Sequence, residues 1–243
     1  MSNISLLTET SIQELSALSV MSISCTLFSH DSNVHDALTR RKGSHDTVMQ
    51  NLQLLKLAGI RVIVKMVVLK TNAHDISSLH TYCTSNGFTF QVDASVFSKL
   101  NGDNTPHEFS LSGVELDNVI IECDRIIGYE LYAGQCKLEA LVCEQMRISL
   151  SINPNGDVNP CNRMPISLGN IFSDSLNNIW NNSDVLGKLS NATYNDCSEC
   201  ASCDVIKYCV RCPGNALVED GCIDYCSTLS KKIAQSRARV YAI

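Results

Sequence analysis

The sequence predicts an α/β fold in two unlike parts, and three observations carry that expectation. Over residues 1–127, β-branched apolar runs alternate with helical apolar spacing, in the order strand, helix, strand, helix, strand. That is the pattern of βαβ units around a parallel sheet. From residue 128 to residue 243 the helical periodicity fades and turn residues rise. Ten of the chain's 13 cysteines fall between Cys136 and Cys226. The expected organisation is therefore a parallel-sheet domain over 1–127 and a small, loop-rich, thiol-bearing domain over 128–243.

Each element has its local reason. Residues 10–18 form a weak helical stretch, and 20–26 (VMSISCT) a strand. Ser44 is placed to cap a helix running to Ala58, with Val48, Leu52 and Leu55 on one face and Gly59 as its stop. Residues 61–69 (RVIVKMVVL) are nearly continuous β-branched sequence, as in a strand buried on both faces. Asp75 can cap a helix to Ser85 that ends at Asn86-Gly87, and 88–92 is a third strand. A helix over 113–127 puts Leu116, Ile120, Cys123 and Ile127 on one face. Further on, 148–153 and 158–161 flank Pro154-Asn155-Gly156-Asp157, and an Asn-Gly between strands signals a hairpin. Residues 174–181 read as a short helix capped by Ser173, with Leu176, Ile179 and Trp180 apolar. Residues 229–241 read as a terminal helix with a basic face of Lys231, Lys232, Arg237 and Arg239, most simply solvated.

Composition excludes several functions. A net charge of -6 and a pI near 5.5 leave no basic field for nucleic acid, and one Trp offers little for base stacking. The longest apolar run is interrupted by Lys65 and is too short for a bilayer. The first residues show neither a basic n-region nor an apolar h-region, so the chain reads as cytoplasmic, with no nucleic-acid or membrane partner. Clustered thiols in that setting point to metal rather than disulfides. One feature of the first part is physically awkward. Its first strand would be an open edge without a bulge, a Pro or a flanking Lys. The expectation is a barrel whose earlier strands are missing or come from another chain; an open three-strand layer is the alternative.

Eight cysteines fall into an ordered scheme: Cys136-x6-Cys143-x12-Gly156-x4-Cys161, then Cys200-x2-Cys203-x5-Cys209-x2-Cys212, then Cys226. A C-x2-C turn lets two thiolates reach one metal centre, and eight thiolates can ligate two four-iron clusters. Zinc is the competing reading, since Cys200, Cys203, Cys209 and Cys212 could make a four-cysteine site. A zinc ribbon, however, leaves about 15–20 residues between its C-x2-C pairs. Here five intervene, and zinc leaves Cys136, Cys143, Cys161 and Cys226 unexplained. Cys25, Cys83 and Cys123 fall on apolar faces and read as buried structural thiols. His30, His35, His45, His74, His80 and His107 form no metal-like pair at helical spacing.

These residues resemble the C-terminal part of a radical SAM enzyme carrying a SPASM domain. That domain's signature is Cys, a spacer, Gly-x4-Cys, a gap, C-x2-C-x5-C-x3-C, a gap and a last Cys. Cys143, Gly156, Cys161, Cys200, Cys203, Cys209, Cys212 and Cys226 match it in order, with two residues rather than three between Cys209 and Cys212. The variant CVRCPGNA resembles a subgroup that modifies ribosomally made peptides. Residues 19–75 are similar to the second half of a radical SAM barrel, from its fourth strand onward. The fold class implied is α/β: the C-terminal half of a radical SAM (β/α) barrel followed by a SPASM domain.

The resemblance implies that Cys136, Cys143, Cys161 and Cys212 hold a first auxiliary [4Fe-4S] cluster. It implies that Cys200, Cys203, Cys209 and Cys226 hold a second, with Cys197 and Cys222 as extras able to substitute for Cys200 and Cys226. His35-Asp36 fits the family's loop after the fourth strand, as a pair that is structural or near substrate. Ser24 and Asn72 could fall near the family's SAM site and are assigned no role. No three cysteines have the C-x3-C-x2-C spacing by which the family holds its SAM-cleaving cluster, so no SAM-binding or catalytic residue is assigned. The expected function is the cluster-bearing part of a radical SAM peptide maturase that is not competent for SAM cleavage alone. SAM would serve only in an intact or complemented enzyme, and the partners would be a peptide substrate and the missing N-terminal half. A stand-alone cluster carrier or electron-transfer protein acting with a partner, and an inactive remnant, are the alternatives.

Overall fold

The computed structural model describes residues 2–129 and 136–241. The chain forms two compact units. The first is Met1–Val96 with Phe109–Tyr129; the second is Phe97–Glu108 with Glu130–Ile243. Part of the expected 127/128 junction, residues 130–135, lies outside the described residues. The structure adds an excursion that the sequence pattern did not show, since Phe97–Glu108 packs in the second unit.

In the first unit, α1 (Glu9–Ala17) precedes β1 (Ile23–Thr26), α2 (Ser32–Thr39), α3 (Ser44–Leu57), β2 (Val62–Val67), α4 (Ile76–Asn86), β3 (Thr89–Asp93) and α5 (Gly113–Ile127). The three strands form a parallel sheet in the order β1-β2-β3, with Cys25 opposite Val64 and Val64 opposite Phe90. Right-handed βαβ crossovers demand helices between parallel strands, and α3 and α4 supply them. The core is one stripe per element: Val48, Leu52 and Leu55 of α3, Val62, Val64 and Met66 of β2, Ile76, Leu79 and Cys83 of α4, and Leu116, Val119, Ile120 and Cys123 of α5.

Several expectations are corrected. β2 is buried on one face only, because Ile63, Lys65 and Val67 stay half-exposed on the other. Ile127 is exposed at the end of α5. Gly43, in the left-handed region, takes the cap position of α3. Ser44 is instead occupied by Thr39 Oγ1 at 2.6 Å and the Asp36 carboxylate at 3.0 Å. Asp75 stands at the cap of α4 without capping it; its carboxylate accepts a short hydrogen bond from Ser29 Oγ. The edge of β1 is approached by the chain's start, where Ser2 N–H donates to Ser24 O at 2.8 Å.

The second unit is built from short pieces: β4 (Ser151–Ile152), β5 (Asp157–Asn159), β6 (Gly169–Asn170), α6 (Leu176–Asn182), α7 (Asp184–Asn191), α8 (Pro213–Asp220) and α9 (Thr228–Tyr241). The Asn-Gly turn closes the expected hairpin, and β6 adds a third antiparallel strand. Gly156 sits at φ +84, and a Cβ there would meet the Phe172 ring at 2.6 Å, so only glycine fits. Ser175, not Ser173, caps α6 by accepting from Asn178 N–H. Two apolar clusters result, one of Met146, Met164, Leu186 and Leu189, the other of Val142, Tyr194, Cys197, Cys200, Cys209 and Ala234. Among the described residues no helix is long and apolar enough to cross a membrane.

Candidate metal centre

The cysteines of the second unit are carried by turns, and packing decides where those turns go. Cys161 follows β5, and its backbone bridges to Met164. Cys143 and Cys161 pack against the cluster that holds Met146, Met164, Leu186 and Leu189. Cys212 stands at the N-cap position of α8, with Pro213 at the first helical turn. Gly214 lets this helix end press on the Cys161 turn: a Cβ on Gly214 would lie 2.8 Å from Arg163 O. Asn215 locks the approach, its side-chain oxygen accepting from Arg163 Nε at 3.1 Å and Nη2 at 2.9 Å. Arg163 Nη1 donates to Ser98 O at 3.0 Å, and its guanidinium lies 4.9 Å from the Phe97 ring centre. The Phe97–Glu108 excursion is thereby tied into this unit, with Ser98 Oγ also 2.5 Å from Asn104 Oδ1.

This arrangement sets Cys212 among Cys143 and Cys161. Burial pushes the Cys212 thiol up, the Asn215 and Gly214 backbone N–H groups at the start of α8 pull it back, and Cys161 and Cys143 add to the rise. A second neighbourhood surrounds Cys209. Its thiol is pushed up to about 12, by burial first and then by Cys226, Cys136, Cys200 and Cys203. Burial also raises Cys200 to about 12, with Cys197 adding to it and Arg211 opposing. Cys226 is raised by burial and Cys203, and its backbone N–H donates to Glu199 Oε2 at 3.1 Å. Cys209 and Cys212, three positions apart in sequence, thus face different sets of thiols.

Cys136 has neighbours of its own. It lies beside Cys209 and the Tyr194 hydroxyl, which holds its thiol down against the rise that burial causes. The reason is local pairing. Tyr194 N–H donates to Ala140 O, Asn195 N–H to Leu138 O, and Cys136 N–H to Lys207 O, which carries this segment to the second neighbourhood. Cys197 also belongs there, packed with Cys200. None of the cysteines is in a disulfide. Among the described residues no three His, Cys, Asp or Glu side chains close to the ligand distances of one ion. What is formed is two neighbourhoods of thiols rather than a finished coordination shell.

Sequence reasoning missed Arg163, Asn215, Tyr194 and Arg211. Only Arg211, inside the CVRC motif, carried a signal, a cation set between two thiols in a short turn. It is buried, its backbone N–H donates to Tyr194 Oη at 3.2 Å, and its guanidinium donates to Cys197 Sγ and to the carbonyls of Ile223 and Tyr225.

The residues singled out in the first unit are buried or held by nearby hydrogen bonds. Cys25 and Cys83 are buried, and burial pushes both thiols up to about 12. Cys123 is buried as well. The Asp36 carboxylate accepts from His45 N–H at 2.8 Å and Gly43 N–H at 2.5 Å, which hold it below its ordinary value. His35 Nδ1 accepts from Phe28 N–H at 3.2 Å, and burial lowers its pKa. His35 borders a cavity of about 360 Å³ lined also by Thr26, Phe28 and Arg41. Asn72 uses its side chain to tie Phe28 O, Val67 O and Leu69 N–H together.

Residues 143–204 match the SPASM domain, an iron–sulfur cluster-binding domain. The chain resembles radical SAM enzymes that carry this domain. Among curated proteins it is 31% identical over 208 residues to the antilisterial bacteriocin subtilosin biosynthesis protein AlbA of Bacillus subtilis, covering 78% of this chain and 44% of that one. It is 25% identical over 178 residues to the sporulation killing factor maturation protein SkfB of the same organism, covering 69% and 42%. The chain therefore spans less than half the length of these relatives. Among solved structures, anSMEcpe with bound AdoMet shares the fold at a TM-score of 0.68, 14% identity and coverage of 98% of this chain and 71% of that one. SuiB of Streptococcus suis bound to S-adenosylmethionine does so at 0.65, 18% identity and coverage of 94% and 58%.

Proposed function

We propose that this chain is the cluster-bearing part of a radical SAM enzyme that modifies a ribosomally made peptide, and that its second unit holds two [4Fe-4S] clusters. One sits on Cys143, Cys161 and Cys212, with Cys136 as the fourth ligand that the family resemblance supplies. The other sits on Cys200, Cys203, Cys209 and Cys226. The observation that carries this reading is the interleaving: the short turn from Cys209 to Cys212 sends its two ends into different thiol neighbourhoods. The donor chemistry fits iron–sulfur, because the groups that gather are thiols. Burial holds them neutral until metal displaces their protons.

When bound, such clusters accept or relay single electrons. The chain's own residues do the positioning. Gly214 and the Arg163–Asn215 bonds bring α8 against the Cys161 turn, and the α8 backbone N–H groups favour the thiolate of Cys212. Peptide as the substrate is supported by the names of the relatives, a maturation protein and a bacteriocin biosynthesis protein. It is also supported by the SuiB structure bound to precursor peptide SuiA, which shares the fold at a TM-score of 0.66. The sequence has no C-x3-C-x2-C motif, so SAM cleavage in this reading requires a segment supplied from outside these 243 residues.

The test is anaerobic reconstitution with iron and sulfide. It should give a brown protein absorbing broadly near 400 nm, with sulfide equimolar to iron and no 5′-deoxyadenosine formed from SAM by the chain alone. A colourless, sulfide-free protein that retains zinc would overturn the cluster reading. SAM cleavage by the isolated chain would overturn its dependence on a further segment.

A further inference from the structure

The second thiol neighbourhood contains a buried charge that its apolar surroundings do not explain. Arg211 is 4% exposed. Among the described residues its guanidinium forms no ion pair with a carboxylate, and its Nε has no hydrogen-bond partner. Its two other nitrogens reach Cys197 Sγ and the carbonyls of Ile223 and Tyr225, none of which is an ordinary anion. A buried guanidinium without a counter-charge breaks the rule that buried charges are paired. Cys197, whose sulfur Arg211 reaches, packs with Cys200 and Cys209 in one buried cluster. No carboxylate among the described residues is paired with it.

We propose that Arg211 is the counter-cation of the cluster held by Cys200, Cys203, Cys209 and Cys226, and that it raises that cluster's reduction potential. The proposal rests on the cluster reading above. A four-iron core bound by four thiolates carries net negative charge, and one added electron increases it by one. A fixed cation in a site of low dielectric stabilises the reduced form more than the oxidised form. Hydrogen bonds and charge near the sulfurs are among the levers that set such potentials. The geometry shows why arginine stands here. One nitrogen of the guanidinium holds the loop carbonyls at 223 and 225, just before Cys226, and the other reaches Cys197 Sγ, packed beside Cys200 and Cys209. Arg211 is thus a positioning residue that touches the site through its charge and the loop it holds. It accounts for the cation between the two cysteines of CVRC, the short turn that replaces the family's longer spacing.

The experiment is a redox titration of the reconstituted full chain with dithionite as electron donor, followed by EPR of the reduced clusters, for wild type, Arg211→Met, Arg211→Gln and Arg211→Lys. Iron and sulfide content is measured first. The neutral variants should make one of two EPR signals at least about tenfold harder to reduce, a fall of about 59 mV for one electron. The other signal should not move, and Arg211→Lys should stay near wild type. If the neutral variants yield no cluster at this site, retention of that cluster by Arg211→Lys supports the charge. Failure of Arg211→Lys along with them overturns it in favour of the hydrogen-bonding fork alone. Unchanged potentials in the neutral variants also overturn it. A wild-type chain that binds no iron and sulfide refutes the cluster reading itself, and the proposal with it.

Discussion

The two units use cysteine for opposite ends. In the first, Cys25 and Cys83 lie in a core built by sheet register and helix stripes, where a thiol behaves as a small hydrophobe. In the second, no strand among the described residues exceeds three residues, and the thiols sit on turns between short elements. Burial raises the thiol in both settings, so burial alone does not separate structural cysteine from ligand. The difference is company. Cys25 and Cys83 have each other, while Cys209 has Cys226, Cys136, Cys200 and Cys203 around it.

If that comparison is right, metal removal is the strongest way to break it. Iron chelation should unfold the second unit, because binding energies on the order of 10 kcal/mol hold small metallo-domains folded. Hydrogen exchange should then show protection lost across 143–226 and kept in β1–β3. Equal loss in both units would show that the thiols do not staple the second. Leu52→Ala should do the converse. A buried leucine cut to alanine costs about 3 kcal/mol. Chemical denaturation should show that loss in the first unit, with iron content unchanged.

Smaller changes sharpen the picture within the second unit. Gly214→Ala drives a Cβ against the Arg163 backbone and should cost about 2 kcal/mol. Iron should be lost from the Cys143, Cys161 and Cys212 set while the other EPR signal persists. The smallest effect concerns pH. Cys25 and Cys83 stand at about 12 in the fold against an ordinary value of 9.0, so the unfolded chain loses these protons first. Stability of the first unit is therefore complete below pH 9 and falls as pH rises toward 12. The loss is about 1 kcal/mol for Cys25 at pH 10. Cys25→Ala should flatten that slope in denaturation curves taken from pH 8 to 11.

What was legible in the sequence follows the same division. The parallel sheet, α3, α4, α5 and the hairpin were readable because apolar period and turn chemistry are local signals. The one-sided burial of β2 was not, since a continuous apolar run does not say whether both faces are covered. The cap of α3 shifted by one residue because Ser44 is taken by Asp36 and Thr39, and that of α6 by two, from Ser173 to Ser175. That the cysteines of 136–226 gather together was readable from spacing. The place of Cys136 was not, because it depends on the pairing of 138–140 with 194–195. Arg163 and Asn215 act across 52 residues, a distance over which one sequence carries no pattern.

The interleaved division of the thiols is tested most directly by comparing Cys209→Ser with Cys212→Ser. Each reconstituted full chain would be measured for iron, sulfide and the EPR spectrum of its reduced clusters. The account predicts about eight irons in the wild type and about four in each variant, with a different one of two EPR signals missing in each. Loss of the same signal in both variants would contradict it, since neighbours in CVRC would then serve one cluster rather than two.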